Sequence, residues 1–164
     1  SYKDGDVNFV KLLKQVNAIK GLKVLSFFTS HPNDANKDFF QAIKDLDKLD
    51  KSLHLPLQSG SDRILKLMNR GYTKKEYLAL IDSYRKIVKV GLLTSDIIVG
   101  FPTETEKDFR QTFDCVKEAG FNAAYIFKYS PRPRTEAAKM ADDVRKEEKE
   151  KRHEKILDLY RKHA

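Results

Sequence analysis

The chain reads as an α/β protein, a run of (βα) units making up part of a TIM-type barrel and followed by a charged C-terminal helix. Two observations point there. Helix and strand patterns alternate four times in succession, which calls for right-handed βα crossovers and a parallel sheet. Polar residues then gather at or just past the end of each strand, at Thr29–Ser30–His31, Gln58–Ser59, Asp96–Gly100 and Tyr129–Arg132. A barrel builds its site from several strand ends, whereas an open doubly wound sheet concentrates its ligand in one crevice. Four strands do not close a barrel that needs about eight. An open arc leaves strand edges bare. The expectation is a piece of a larger domain, or a chain that associates with itself through exposed sheet edges.

The elements follow in order. The first helix spans roughly Asp6–Lys20, with Val10, Leu13, Val16 and Ile19 at helical spacing and Gly21 as its stop. LKVLSFF, residues 22–28, predicts a strand. A second helix starts near Asn33 or Asp34 and carries Phe39, Ile43 and Leu46 on one face. SLHLPLQ, residues 52–58, predicts a short strand with a proline near its end. Ser61–Asn69 predicts a short helix closed by Gly71. Thr73 with Glu76 forms a capping box. It opens a helix with an apolar stripe through Tyr77, Ile81, Tyr84 and Val88, ended by Gly91.

LLTSDIIVG, residues 92–100, is the most β-like stretch of the chain. Thr103 with Glu106 predicts a second capping box, then a helix with Phe109, Phe113 and Val116 on its stripe and Gly120 as its stop. AAYIFKY, residues 123–129, is the fourth strand expected. SPRPRT is a proline-broken loop. From about Val144 the chain is helical and densely charged, with Glu147–Lys151 and Glu148–Arg152 at i,i+4. Only Ile156, Leu157 and Tyr160 offer a packing face, so a solvated helix on the domain surface is expected. The boundaries that follow are residues 1–140 for the partial barrel and 141–164 for the helix packing on it.

At 164 residues, 40% hydrophobic and 34% charged, the chain is long and apolar enough for one domain with a core. No apolar run approaches the ~18 residues a membrane span needs. SYKDGD carries no basic stretch leading into an apolar one, so no signal peptide is expected. The single cysteine, Cys115, excludes an internal disulfide framework and any cysteine cluster held by this chain alone. The net charge of +8 suits a nucleic-acid partner, though many basic enzymes share it.

Several polar residues invite chemistry. The Gln58 amide offers a donor and an acceptor, suited to a sugar diol. Ser59, Gly60 and Ser61 either present N–H groups to an anion or simply cap the next helix. Asp96 sits amid an apolar strand and needs a partner or a polar site. Gly100 either permits close approach of a flat ligand or makes a tight turn with Phe101 and Pro102. Arg70 is either a clamp for a carboxylate or phosphate or a helix-end cation. His31, beside a proline, is either a base or a structural residue. Arg132 and Arg134 flank Pro133 as phosphate contacts or as a solvated loop. Cys115 falls beside an apolar stripe and is expected to be buried and inert.

FTSHP, HLPLQSGSDRILKLMNRGYT, DIIVGFPTET and YSPRP, in this order, resemble the radical SAM domain of the tRNA methylthiotransferases. The resemblance runs from about Val7 to the last helix. SHP and HLPLQSGS resemble the MiaB-type branch, which acts on isopentenyladenosine beside the anticodon. The resemblance implies a cytoplasmic enzyme that binds a 4Fe–4S cluster through a CxxxCxxC loop and splits S-adenosylmethionine reductively. It also implies hydrogen abstraction at adenine C2 and installation of a methylthio group on tRNA. The cysteine loop, a second-cluster domain and an RNA-binding domain are absent from this sequence, so the resemblance is to a fragment holding the later strands of the barrel, with no metal ligand of its own.

For the residues, the resemblance implies that Gln58 and Asp96 hold the ribose hydroxyls and Arg70 the methionine carboxylate. Ile98, Gly100 and the Phe101 backbone lie by the adenine, Thr29 or Ser30 meets the methionine amino group, and Ser59 belongs to the same cofactor set. His31, Arg132 and Arg134 are placed as substrate or RNA contacts. Two positions depart from the family pattern: Thr103 and Arg134 stand where glycine is usual. Thr103 is expected to cap its helix regardless, while Arg134 loses a flexible turn position. The alternatives are a basic RNA-binding module and another α/β-barrel enzyme with a phosphate-bearing substrate.

Overall fold

The computed structural model describes residues 3–28 and 30–161. A small antiparallel hairpin, β1 (Lys3–Asp4) and β2 (Val7–Asn8), leads into α1 (Phe9–Asn17) and, after a 3-10 turn at Pro32–Asp34, α2 (Lys37–Asp45). Next come β3 (Leu53–His54), α3 (Asp62–Leu67), α4 (Lys74–Ile87) and β4 (Leu93–Val99). The chain ends with α5 (Glu106–Ala119), β5 (Ala123–Lys128) and α6 (Lys146–Arg161). Strands β3, β4 and β5 form a three-stranded sheet in that order, parallel throughout. The parallel βα order is that of a barrel segment. Among the described residues no helix is long and apolar enough to cross a membrane.

Burial along β4 alternates strictly, with Leu93, Ser95, Ile97 and Val99 buried and Thr94, Asp96 and Ile98 half-buried. Odd positions face the helices and even ones the open inner face. The register sets Tyr125 beside Asp96 and Phe127 beside Ile98 on that face. The core lies behind it, among Leu53, Leu55, Ile81, Ile97, Phe109 and Val116. Tyr77 and Tyr84 bury their rings on α4 and donate their hydroxyls to the carbonyls of Leu55 and Lys51, tying the helix to the β3 segment.

Several boundaries differ from expectation. The first helix begins at Phe9 rather than Asp6, because residues 3–8 form the hairpin and Asn8 caps the helix by accepting from Lys11 N at 2.9 Å. The second begins at Lys37, capped by Asn36. Residues 22–28 are not a strand: Leu25 alone bridges to Leu49, in a loop, and Phe28 is 95% exposed. Residues 52–58 pair regularly only at Leu53–His54, since Pro56 has no N–H to donate. Pairing resumes at Gln58 opposite Ile97.

The Thr73–Glu76 capping box forms as read. The second box does not. Thr103 has φ 65°, left-handed backbone that no N-cap adopts, and the cap is Thr105 with Asp108. Nor is α6 merely a solvated helix: Lys149 and Arg152 are buried with Ile156, a spacing of three and four residues that puts all three on one face.

Candidate functional site

A cleft of about 710 Å³ opens at the C-terminal ends of β4 and β5. Six of the residues singled out in the sequence line it: Gln58, Arg70, Asp96, Ile98, Phe101 and Arg132. Gln58 has φ 67°, unusual for a residue with a side chain. Its N–H donates to Asp96 O at 2.8 Å and its carbonyl accepts from Ile98 N at 2.9 Å, so β4 holds the strained backbone in place. Its side-chain amide makes no hydrogen bond among the described residues.

Asp96 stands on the inner face with its side chain 28% exposed, its Oδ2 3.3 Å from His54 Nε2. Arg70 follows α3 after a left-handed turn at Asn69. Its Nε donates to the Tyr72 hydroxyl at 3.2 Å, and its guanidinium lies 5.7 Å from that ring. Tyr72 is itself anchored on the carbonyls of Pro56 and Leu57. No carboxylate pairs with Arg70 among the described residues, so the fork of its two terminal nitrogens remains available. The apolar part of the wall is Ile98, Phe127 and Phe101, whose ring meets Tyr129 edge-on at 5.2 Å. Arg132 is exposed at the rim with no ion pair among the described residues.

The other expected residues lie elsewhere. Thr29 falls outside the described residues. Ser30 donates its N–H to His54 O at 3.1 Å and does not line the cleft. His31 accepts from Asn33 N at 3.2 Å, capping the 3-10 turn. Burial, then the nearby Arg70, lower its pKa and favour neutral imidazole. Arg134 is exposed, away from the wall, with φ 68°.

Ser59 is fully buried and spends its hydroxyl on Thr112 of α5, 3.1 Å away. Gly60 donates to the same hydroxyl, and a Cβ there would sit 2.6 Å from Cys115 Cβ. Ser61 caps α3 and donates to Asp108 Oδ1 at 2.6 Å. The SGS turn therefore faces α5, and its polar groups are already matched. Burial opposes ionisation of Asp108, but bonds from Arg63, Ser61 and Thr105 outweigh it and hold the carboxyl well below the usual carboxylate range.

Gly100 does have φ 70°, but the group that approaches it is protein: a Cβ there would overlap the stem of Lys149. Its N–H donates to Glu104 Oε2 at 2.7 Å, and the same oxygen accepts from Arg152 Nη1 at 2.8 Å. Burial pushes the Glu104 carboxyl up, against the pull of Gly100 and Arg152. Lys149 pairs with Asp142 at 2.6 Å and lies 5.3 Å from the Tyr129 ring. Helix α6 thus braces both loops that carry the cleft.

The sequence reading missed Lys149, Arg152, Glu104 and His54. The first two were legible in their helical spacing with Ile156. His54 was legible only by aligning it with Thr94 on the next strand.

The donor set fits S-adenosylmethionine: an amide, a carboxylate and a free guanidinium on one apolar-backed wall. It does not fit an iron–sulfur cluster. The one cysteine is buried on α5, its thiol pushed up to about 12 by burial. No group of three metal-ligating side chains occurs among the described residues.

The Radical SAM superfamily matches residues 2–116, and the chain belongs to that superfamily. It is 48% identical over 159 residues to the tRNA-2-methylthio-N(6)-dimethylallyladenosine synthase of Thermoanaerobacter pseudethanolicus, covering 97% of this chain and 34% of the relative. The synthase of the same name from Endomicrobium trichonymphae is 46% identical, with 96% of this chain and 38% of the relative covered. The chain thus spans about a third of the length of these curated relatives. Coproporphyrinogen III oxidase (HemN) from Escherichia coli, a radical SAM enzyme, superposes with a TM-score of 0.64 at 20% identity, over 84% of this chain and 31% of that one. That likeness bears on the fold alone and agrees with the partial barrel.

Proposed function

We propose that this chain is the S-adenosylmethionine-binding part of a radical SAM methylthiotransferase that acts on a modified adenosine of tRNA. The observation that carries the reading is the convergence of Gln58, Asp96 and Arg70, each with hydrogen-bonding capacity to spare, on one cleft. Arg70 would take the methionine carboxylate as a two-pronged ion pair. Gln58 and Asp96 would hold the ribose hydroxyls, donor against acceptor. Ile98, Phe101 and Phe127 would cover the adenine and exclude water from it. Held by these residues, S-adenosylmethionine would supply hydrogen-atom abstraction in the intact enzyme. The cluster ligands are not in this chain, so the chain's own work is to bind and orient.

Arg132 at the rim and the exposed Arg134 beyond it, with the net charge of +8, would offer cationic surface to an RNA phosphate backbone. The position beside the anticodon belongs to the same proposal.

The test uses the full-length polypeptide, reconstituted anaerobically, and measures iron content together with dithionite-driven cleavage of S-adenosylmethionine to 5′-deoxyadenosine. Iron-dependent cleavage is the expected result. Folded protein with neither iron nor cleavage overturns the proposal, and salt-sensitive RNA binding indifferent to S-adenosylmethionine would then favour a plain RNA-binding module.

A further inference from the structure

On the inner face of the sheet, His54, Thr94 and Tyr125 neighbour Asp96 without lining the cleft themselves. His54 on β3 is in register with Thr94 on β4, and Asp96 lies two residues further along the same face. The His54 side chain is only 19% exposed. One ring nitrogen, Nδ1, is 2.8 Å from the Thr94 hydroxyl, and the other, Nε2, is 3.3 Å from Asp96 Oδ2. The ring also meets Tyr125 edge-on at 6.2 Å, and Tyr125 neighbours Asp96 on the far side, on β5. The imidazole is therefore fixed at three points.

We propose that His54 is a positioning residue that sets the orientation of the Asp96 carboxylate for the ribose hydroxyls. The inference rests on the reading that the cleft binds S-adenosylmethionine. The Asp96 carboxylate only accepts, so Nε2 carries a proton directed at it, and in the neutral ring Nδ1 then accepts from the Thr94 hydroxyl. One carboxylate oxygen is then committed to His54, and the other is left to accept from the ligand. A partly exposed aspartate on an open sheet face needs no protein partner for solvation. What the imidazole adds is loss of rotameric freedom before the ligand arrives, which raises affinity by preorganisation. Sequence pattern alone does not reveal this, because residues 54 and 96 meet only through strand register.

The test measures S-adenosylmethionine affinity by equilibrium dialysis, with thermal unfolding in parallel, on the full-length protein and four variants: His54→Phe, His54→Gln, Asp96→Ala and the double variant D96A/H54F. Phenylalanine keeps the ring and its contact with Tyr125 but removes both nitrogens. Glutamine restores an N–H near the Nε2 position. H54F is expected to weaken binding about tenfold, of the order lost with a hydrogen bond to a charged group, with unfolding little changed. H54Q is expected to recover most of that loss. The double variant should bind like D96A alone, because a residue acting through Asp96 has no effect once Asp96 is gone.

If D96A is weak but H54F binds like the parent, the inference is overturned while the cleft assignment stands. Additive losses in the double variant also overturn it, since His54 would then act without Asp96. Parental binding by D96A overturns both the inference and the reading beneath it.

Discussion

Two polar regions meet at residues 58–61 and are used in opposite ways. On the cleft side, Gln58, Arg70 and Asp96 keep donors and acceptors in reserve. On the α5 side, Ser59, Gly60, Ser61, Arg63, Thr105 and Thr112 surround Asp108 with every group matched. A second buried network lies behind Gly100, where Glu104 Oε2 accepts from Gly100 and Arg152, Oε1 has no partner among the described residues, and Lys149 fills the space against the turn. The difference teaches that spare hydrogen-bonding capacity open to the cleft, rather than polarity, marks the ligand wall. A saturated network rigidifies the wall and has nothing left to offer a ligand.

On that division, substitutions in the buried networks cost stability and those on the open wall cost affinity. The largest effect is expected from Arg152→Ala. It strands the buried Glu104 carboxyl with only Gly100 N–H, a loss of about 3–5 kcal/mol read by urea unfolding. Asp108→Ala should follow, at about 2–3 kcal/mol, because Ser61 and Arg63 lose a buried acceptor.

Asp108 also predicts a pH dependence. Its folded pKa is depressed, so its stabilisation is fully present above the ordinary aspartate value of 3.8 and is lost as pH falls below it. Glu104 is raised and titrates in the opposite sense. Acid titration of stability in a Glu104→Gln background should therefore steepen below about pH 4 with Asp108 present and flatten in D108A.

On the open wall, Arg70→Ala and Asp96→Ala should each weaken S-adenosylmethionine binding about tenfold while shifting unfolding by less than about 0.5 kcal/mol. Parental affinity in both would break the comparison, since the reserved groups would then have no ligand to meet. The smallest effect concerns the rim. Arg134 holds a left-handed backbone that glycine adopts without strain. Arg134→Gly should stabilise the fold by about 0.5–1 kcal/mol, while RNA affinity, measured by filter binding against salt, falls slightly.

Much of this was legible. The Thr73–Glu76 box, the Gly120 stop and the strand character of β4 follow from local rules, and Gln58, Arg70 and Asp96 stood out by residue type. The second capping box shows where local rules stop. Thr103–Glu106 and Thr105–Asp108 are overlapping copies of one pattern. Arg63 donating to Thr103 O and Asp143 accepting from Thr103 N hold Thr103 out of cap geometry, and neither partner is near in sequence. The same holds for residues 22–28, whose apolar run suits a strand but whose neighbour is a loop.

The sequence by itself determined the βα order, the most regular elements and the chemical groups available to a ligand, because periodicity and residue type act over a few neighbouring positions. The tertiary structure decided which of those groups remained free. Ser59 was consumed by Thr112, Gly100 was covered by Lys149, and His54 was set beside Asp96 by strand register. Each contact joins residues 40 or more positions apart, a separation over which no local pattern carries information.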